Sequence, residues 1–225
     1  MVDEFYNCEH DAQVKYLISI GKDINAYIPG NDNSYIINSL HYVRGDIRIM
    51  ELLLKNGANV NATTFATGQT CLHLCAMDKD IDGCKLLLKY GASVNIKDFN
   101  GISPVCHVLE FYPLLELFIN NGLNINEPCE PQGDSPLISA CRCEYIGTVL
   151  YLVQHGADIN KGNEAGCTPI IMATIRENIH LVNVLIQHGA DVNRKTNSGL
   201  SSLDVAQHKK NNTIINILKA AGAKE

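Results

Sequence analysis

Apolar residues recur along this chain with the spacing of short amphipathic helices, and the whole pattern returns about every 33 residues. In the copy at 49–54, Ile, Met and three Leu residues form a broad apolar stripe along one side of a helix, and glycine follows shortly after. Glycine is the usual residue at the end of a helix because it adopts the left-handed conformation without strain. The pattern therefore predicts a helix that ends before each of Gly21, Gly57, Gly91, Gly122, Gly156, Gly189 and Gly222.

A second pattern predicts another helix ahead of each of these. Ser or Thr is typical of a helix N-cap, and Pro fits the first helical position because the N–H that it lacks has no partner there. Polar stretches such as 161–166 and 194–199 have the composition of tight turns. Each repeat is thus predicted to contain a hairpin turn and two helices, with N-caps at Thr70, Ser103, Ser135, Thr168 and Ser201 and with Pro104, Pro136 and Pro169 after three of them.

The two patterns together resemble the ankyrin repeat, which has a Thr-Pro-Leu-His helix start and, about 21 residues later, Gly-Ala and a terminal Asn. Examples are GQTCLHLCA (68–76) with LLLKYGASVN (86–95), and GCTPIIMAT (166–174) with VLIQHGADVN (184–193). The resemblance implies an all-α ankyrin-repeat solenoid of stacked helix-turn-helix units with short β-hairpin loops. We expect one domain over residues 1–225, with the units 1–25 (N-terminal cap), 26–61, 62–95, 96–126, 127–160, 161–193 and 194–225 (a polar C-terminal cap).

Two repeats depart from the regular pattern. The second is expected to carry a longer helix pair over 34–57, with Asn-Ser-Tyr-Ile (33–36) in place of Thr-Pro-Leu-His. The fourth is shortened over 103–122, around Phe111 to Pro113. We expect Pro113 to start the second helix of this repeat early and to break the even stacking locally.

Charge and composition exclude several classes of function. The chain carries 18 Lys+Arg against 24 Asp+Glu, a net charge of −6, so it has no basic field that would favour nucleic acid or anionic lipid. No apolar run approaches the roughly 18 to 20 residues that span a bilayer. Residues 1–10 include Asp3, Glu4 and Glu9, unlike the basic start of a secretory signal. Nine cysteines, an odd number without regular spacing, suit a reducing compartment. We expect a cytoplasmic or nuclear protein.

Candidate catalytic and metal-binding residues have structural explanations in the repeat. Cys71, His73 and Cys75 have a spacing that metal ligands use, but His73 is the His of the repeat signature and Cys75 holds a place that is Ala elsewhere. His155 and His188 both precede the glycine, where a cation suits the helix dipole. No phosphate loop, dinucleotide fingerprint or zinc-protease motif occurs. We therefore expect no enzymatic activity, no cofactor and no metal.

A partner-binding surface is what remains. A solenoid presents a concave face, which in ankyrin arrays is lined by the hairpin tips and the exposed end of each first helix. Because aromatic and Arg side chains are the usual binding anchors, the predicted contacts are Tyr42, Met77, Phe99, Phe111, Tyr112, Arg142 and Arg176. The alternative is that Phe65 and Phe99 only hold neighbouring hairpins together and that Phe111 and Tyr112 only fill the short repeat.

The sequence supports a protein partner but does not identify it. We expect a monomer that binds another protein and neither nucleic acid nor membrane. The richness in Asn and Ile, and the style of the array, resemble stand-alone ankyrin proteins of large DNA viruses and intracellular bacteria, which implies a pathogen factor acting on host signalling in the host cytoplasm. The alternatives are a structural scaffold segment or subunit of a larger assembly and an inhibitor-of-κB-like decoy. The resemblance also suggests hydroxylation of the asparagines that end the repeats: Asn61, Asn95, Asn126, Asn160 and Asn193.

Overall fold

Short helices packed in pairs are the main secondary structure of this protein. The structure, a computed structural model, describes residues 15–16, 18–25, 27–29 and 36–224. The predicted N-terminal cap, residues 1–25, lies mostly outside these residues. The chain divides into two compact units, 1–123 and 124–225.

In the first unit, residues 15–16 and 18–19 are helical, and a small antiparallel ribbon and further helices follow them. The strands β1 (Tyr27–Pro29) and β2 (Ile36–Asn38) pair in the register Tyr27 to Asn38. The helices that follow are α1 (Ser39–Tyr42), α2 (Ile47–Lys55), α3 (Cys71–Met77), α4 (Ile81–Lys89), a 3-10 helix (Pro104–His107) and α5 (Tyr112–Asn120).

The second unit consists of three helix pairs of equal length. In each pair a first helix of seven residues packs against a second helix of nine. The pairs are α6 (Pro136–Arg142) with α7 (Ile146–Gln154), α8 (Pro169–Ile175) with α9 (Ile179–Gln187), and α10 (Ser202–His208) with α11 (Asn212–Ala220).

The helices stack within each unit in the way the repeat pattern predicts. First helices pack on first helices, as α8 does on α6 and α10, and second helices pack on second helices, as α2 does on α4. The hairpin turns that precede the first helices are closed by backbone bonds, for example from Thr64 N to Gln69 O (2.8 Å) and from Thr196 N to Leu200 O (2.9 Å). The predicted helical repeat fold with short hairpins is confirmed.

Only some of the predicted N-caps make the capping hydrogen bond. Thr70 and Ser201 form capping boxes with His73 and Asp204, and the Ser135 hydroxyl accepts from the N–H of Ile138. Ser103 and Thr168 hold the N-cap position without a side-chain cap bond, and Thr168 Oγ1 is buried with no partner. Position in the repeat therefore predicts the start of the helix but not the bond that stabilises it.

The second helices end as expected. Glycine follows each of them with a positive φ, between 83° and 91° in the six repeats that end at Gly57 to Gly222. The residue just before the glycine closes the last turn. His155 Nδ1 donates to Tyr151 O at 2.8 Å, and His188 Nδ1 donates to Val184 O at 2.8 Å. These two histidines therefore have the structural role at the end of the helix that the sequence suggested.

A left-handed residue joins the two helices of most pairs. It is Gly45 in the second repeat, but Lys79, Glu144, Glu177 and Lys210 elsewhere, with φ between 57° and 62°. A residue with a Cβ is strained there by about 1 to 2 kcal/mol. Three of these side chains form ion pairs with the neighbouring repeat: Lys79 with Glu110 (3.7 Å), Glu144 with Arg176 (3.3 Å) and Glu177 with Lys209 (3.5 Å).

The register predicted for the second repeat is wrong. Its first helix, α1, begins at Ser39 rather than near Ser34, and Ile36, the last residue of the predicted helix start, lies in β2 (Ile36–Asn38). The counterpart of Thr-Cys-Leu-His (70–73) is Asn-Ser-Leu-His (38–41). The ring of His41 contacts Gln69 O at 2.9 Å, as the ring of His73 contacts Ile102 O at 3.1 Å. The helix pair of this repeat is therefore shortened rather than lengthened.

The fourth repeat is short for a different reason from the one predicted. Its second helix, α5, begins ten residues before Gly122, at the place where α4 begins ahead of Gly91, so Pro113 does not start the helix early. The missing residues come from the first helix, which is a single 3-10 turn over Pro104–His107. The predicted local break is therefore a change of helix type within the repeat.

Candidate protein-binding surface

The hairpins and the ends of the first helices share one face in the first unit. Gln69 Nε2 lies 3.9 Å from Met77 Sδ, which places the last hairpin residue beside the last residue of α3. We call the exposed residues of the hairpins 63–69 and 96–102, together with Met77, the hairpin face. Its large apolar side chains are highly exposed: Phe65 by 68%, Phe99 by 70% and Met77 by 47%.

Phe99 combines the two roles that the sequence left open. Its N–H donates to Thr67 O of the preceding hairpin at 2.9 Å, and its ring lies over Gly68. A Cβ at Gly68 would lie 2.7 Å from Phe99 Cε1, so only glycine leaves room for the ring. Phe99 thus links neighbouring hairpins, and most of its surface still faces solvent. Phe65, which is not among the predicted contacts, is nearly as exposed.

The two aromatic residues of the short repeat lie elsewhere than predicted. Phe111 is the N-cap of α5 and is partly buried, so it does not continue the first helix of its repeat. Tyr112 is the first residue of α5 and is 43% exposed. Both positions were predicted by counting residues from Ser103 along a first helix of full length. The first helix is only a 3-10 turn, so the count runs past its end. Of the predicted contacts in this unit, Met77 and Phe99 share the hairpin face.

In the second repeat, the predicted contact was Tyr42, whose side chain lies outside the described residues. The residue before it, His41, is 1% exposed, and its ring is used in the contact with Gln69 O. The register shift places Arg44, rather than Tyr42, at the turn between the helices. Arg44 Nε donates to Asp78 Oδ2 of the next repeat at 3.1 Å.

The two predicted arginines of the second unit are both paired. Arg142 contacts Glu130 and lies 2.9 Å from Asp134 Oδ2, and its Nε is buried without a partner. Burial disfavours its charge, but the hydrogen bond to Glu130 and the two carboxylates outweigh this and raise the pKa of Arg142. Arg176 is exposed and bonds Glu144 Oε1 through Nε and Nη2 at 3.3 Å.

Two exposed apolar residues of the second unit did not stand out in the sequence. Ile175 ends α8 and is 39% exposed, and Leu200 precedes the N-cap of α10 and is 49% exposed. Both occupy positions that correspond to Met77 and Gln69 of the first unit. The second unit therefore has its own exposed apolar residues at a hairpin and at a helix end, and Ile175 directly precedes Arg176.

The asparagines that end the repeats form a regular set of bridges. Asn160 Nδ2 donates to Gly189 O at 3.3 Å, and its Oδ1 accepts from the N–H of Asp191 at 2.7 Å. Asn126 and Asn193 make the same two bonds in the second unit, and Asn25 and Asn61 make them in the first. Each asparagine thus joins its repeat to the next one. Hydroxylation of these residues stays a prediction.

The candidate metal ligands and nucleophiles are used in packing. Both ring nitrogens of His73 have partners, since Nδ1 accepts from Thr70 N at 3.1 Å and Nε2 bonds Ile102 O. Burial lowers the pKa of His73. A hydrogen bond with Cys75, together with burial, raises the pKa of Cys71. Among the other cysteines, burial raises the pKa of Cys84 and Cys141, and burial with the nearby Asp134 carboxylate raises that of Cys167 to about 11. Thiols held protonated in this way are poor nucleophiles and poor metal ligands.

Paired short helices with a hairpin ahead of each pair and an asparagine bridge after it define a helical repeat protein. Two family models of ankyrin repeats match the chain, one of three copies at residues 5–98 and one of many copies at residues 144–186, together more than half of it. The chain belongs to the ankyrin-repeat family.

Known relatives include viral and animal ankyrin proteins. An ankyrin repeat protein of Acanthamoeba polyphaga mimivirus is 34% identical over 119 residues, 52% of this chain and 14% of that protein. One of Fowlpox virus (strain NVSL) is 31% identical over 150 residues, 63% of this chain and 43% of that protein. The Notch protein of Drosophila melanogaster is 35% identical over 116 residues, 50% of this chain and 4% of that protein. The chain thus spans less than half the length of these relatives.

Solved structures have the same fold. The ankyrin repeat domain of human ASB11 matches with a TM-score of 0.73 at 25% identity, over 95% of this chain and 94% of that one. The ankyrin repeat domain of Bcl-3, a unique member of the IκB family, matches with a TM-score of 0.80 at 24% identity, over 92% of this chain and 91% of that one.

Among the described residues, no helix is both long and apolar enough to cross a bilayer.

Proposed function

We propose that this chain is a non-enzymatic protein-protein interaction module that binds a partner protein through its hairpin face. The observation that carries the proposal is the exposure of Phe65 (68%), Phe99 (70%) and Met77 (47%) on adjacent hairpins and a helix end. Large apolar side chains grouped on a surface are typical of binding sites, where aromatic residues supply most of the affinity. The ankyrin-repeat fold is generally a non-catalytic interaction module, which supports this function.

In the second unit, we propose a supporting role for the residues around Arg176. Arg176 is exposed, with Ile175 beside it, and its pair with Glu144 is a surface ion pair that a partner displaces at little cost. Arg142 is a weaker candidate because Glu130 and Asp134 already hold it. We propose that the protein acts as a monomer in the cytoplasm or nucleus, without cofactor, metal, nucleic acid or membrane.

Similarity to ankyrin proteins of mimivirus and Fowlpox virus supports a pathogen factor that acts on host signalling. The alternative of a scaffold segment in a larger assembly is supported by the greater length of those proteins. For an inhibitor-of-κB-like decoy, the likeness to Bcl-3 supports only the fold, at 24% identity.

Affinity capture with matched variants tests the proposal. The tagged chain, a Phe65→Ala/Phe99→Ala variant and an Ile179→Ala variant are each incubated with cell lysate, and the retained proteins are identified by mass spectrometry. Ile179 serves as a control because it is 40% exposed but begins a second helix and belongs to neither a hairpin nor a first helix. We expect a partner that the wild type and the control retain and the double variant loses. Retention of every partner by a folded double variant would contradict the hairpin face as the site.

Affinity measurements with the captured protein then sharpen the result. Removing two aromatic anchors is expected to weaken binding by about 2 kcal/mol or more, roughly thirtyfold in Kd. The scaffold alternative predicts a different outcome, in which crosslinking finds several partners in a stable assembly and the double variant remains incorporated.

A further inference from the structure

The chain contains three Asn-Gly pairs, at 56–57, 100–101 and 121–122. Asparagine before glycine is prone to spontaneous deamidation, because glycine has no Cβ to hinder the approach of its backbone nitrogen to the preceding side-chain amide. The three pairs have the same two residues but different surroundings, so any difference in their deamidation rates comes from the structure.

At two of the pairs, the side-chain amide is held in place at the end of a second helix. Asn56 Nδ2 donates to Leu52 O at 2.8 Å, and Asn121 Nδ2 donates to Leu117 O at 2.8 Å. Each bond ties the side chain back to a carbonyl of the last helical turn, and Leu52 O also accepts from Asn56 N at 3.3 Å. The amide must leave this bond before its carbon can be attacked, so both sites are protected in the folded chain.

Asn100 lacks this protection. It is exposed at the tip of the hairpin 96–102, and its side-chain amide has no hydrogen-bond partner among the residues that the structure describes. The glycine nitrogen that attacks is hydrogen-bonded in a similar way at both kinds of site: Gly101 N donates to Asp98 O (2.9 Å), and Gly57 N donates to Leu54 O (3.2 Å). This nitrogen therefore does not explain a difference in rate. The free side chain is the difference.

We propose that Asn100 is a spontaneous deamidation site and that its conversion loosens the hairpin that presents Phe99. Gly101 N loses its proton to water and attacks Cγ of Asn100, the bond from Cγ to the amide nitrogen breaks, and ammonia leaves. The resulting five-membered succinimide is opened by water at either carbonyl, which gives Asp or isoaspartate. The net change replaces NH₂ by OH and involves no oxidant or cofactor.

Both products disturb the hairpin. Each adds a negative charge near the buried Asp98 carboxylate, whose Oδ1 accepts from Asn100 N (2.8 Å) and Ile102 N (3.0 Å), and like charges repel. Isoaspartate also adds a methylene to the main chain inside the hairpin, which the bond from Asp98 N to Ile102 O (2.8 Å) closes. Phe99 lies between these residues, so its position over Gly68 depends on this geometry.

Peptide mapping by mass spectrometry tests the site without any partner. The purified chain is aged at neutral pH, folded and in urea, and the Asp and isoaspartyl peptides of the three pairs are quantified. In the folded chain, Asn100 is expected to convert at least about fivefold faster than Asn56 and Asn121, the factor that one hydrogen bond supplies. In urea, the three rates converge. An Asn100→Gln variant loses the fast conversion because glutamine forms a six-membered ring much more slowly. Equal rates in the folded chain would overturn the proposal.

The consequence for binding rests on the proposed function and is tested separately. Aged wild type is expected to bind a captured partner more weakly than fresh wild type, while aged and fresh Asn100→Gln bind alike. The contact of the Phe99 ring with Gly68, followed by NMR, is expected to be lost in the aged wild type. A retained contact would overturn the effect on the hairpin. Loss of the contact with unchanged binding would instead contradict the hairpin face as the binding site.

Discussion

Phe99 lies with its ring over Gly68 of the preceding hairpin, at the point where a Cβ on residue 68 would occupy the same space. Gly68 has a φ of +70°, so an alanine there is also strained. Gly199 has the same place in its hairpin and a φ of +84°, but a Cβ there would meet nothing within 4 Å. Alanine substitutions at the two glycines therefore distinguish the effect of backbone strain from the effect of contact with the ring.

We expect Gly199→Ala to cost about 1 kcal/mol of stability through strain alone. Gly68→Ala is expected to cost a similar amount of stability, because the exposed ring of Phe99 can move away from the new Cβ. Since the ring is then displaced, this variant is also expected to bind the partner more weakly. Urea denaturation measures the first effect, and titration with the captured partner measures the second. If Gly68→Ala binds as tightly as Gly199→Ala, the position of Phe99 does not matter for binding.

Removal of one asparagine bridge is expected to destabilise the array. Asn160→Ala loses a bond to Gly189 O and one from Asp191 N, both of which link successive repeats, and the expected cost is about 1 to 2 kcal/mol. Asn183 provides the control, because its Nδ2 donates only to Ile179 O within the same helix (3.0 Å). Asn183→Ala is expected to change the unfolding free energy by less than about 0.5 kcal/mol. Equal effects of the two variants would show that the bridges add no coupling between repeats.

Stability is expected to fall in mild acid because of His41. Burial, and then the positive Arg44 and the neighbouring His73, lower the pKa of His41 from 6.5 to about 4, although the hydrogen bond to Gln69 O opposes this. The unfolded chain therefore takes up a proton first as the pH falls, so the stabilisation is complete above about pH 6.5 and is lost towards pH 4. Between pH 7 and pH 5 the expected loss is about 2 kcal/mol.

Chemical denaturation across this pH range, with a matched variant, measures the effect. His41→Gln keeps a donor for Gln69 O but has no ionisable group, so its stability is expected to change less over the same range. The remaining slope reports His73, whose pKa burial also lowers. If the stability of His41→Gln depends on pH as strongly as that of the wild type, groups other than His41 cause the loss of stability in acid.

Two threonines at the same repeat position are expected to differ in their tolerance of valine. Thr70 Oγ1 lies 2.8 Å from His73 Nδ1 and accepts from His73 N, so Thr70→Val is expected to cost about 1 to 2 kcal/mol. Thr168 Oγ1 is buried without a partner, so Thr168→Val removes an unsatisfied group and is expected to be neutral or stabilising. Thermal unfolding of the two variants distinguishes them. A destabilised Thr168→Val would indicate a partner for this hydroxyl.

Sequence patterns predicted the repeat because its signals are local. A cap residue, a stripe of apolar positions and a terminal glycine lie within one helix pair, and all of them recur. The register of the second repeat failed because Asn-Ser occurs twice, at 33–34 and at 38–39, and the first pair was taken as the helix start. The Leu-His of the signature follows only the second pair, and the helix begins there. The shortened first helix of the fourth repeat misplaced Phe111 in the same way.

The binding surface was harder to predict than the fold. Exposure depends on what lies opposite a side chain, and this is not visible in the spacing of residues. Phe99 was predicted because the repeat register places this aromatic residue in a hairpin, whereas the pairing of Arg142 with Glu130 and Asp134 of the preceding hairpin could not be seen in the spacing of residues.

The bridge from Asn160 reaches the glycine and the following loop one repeat further on, and Asn193 reaches Gly222 and Lys224 in the same way. If the segment 161–193 were deleted, Asn160 and Gly222 would be 29 residues apart in sequence, the separation that Asn193 and Gly222 have now. Gene duplication or loss in whole repeats therefore preserves every bridge. Changes of length inside a repeat are tolerated as well, because the asparagine bonds the next glycine carbonyl across 27 residues at Asn95 and across 32 at Asn25. The length of such an array is free to evolve as long as each asparagine still reaches the glycine that ends the next repeat.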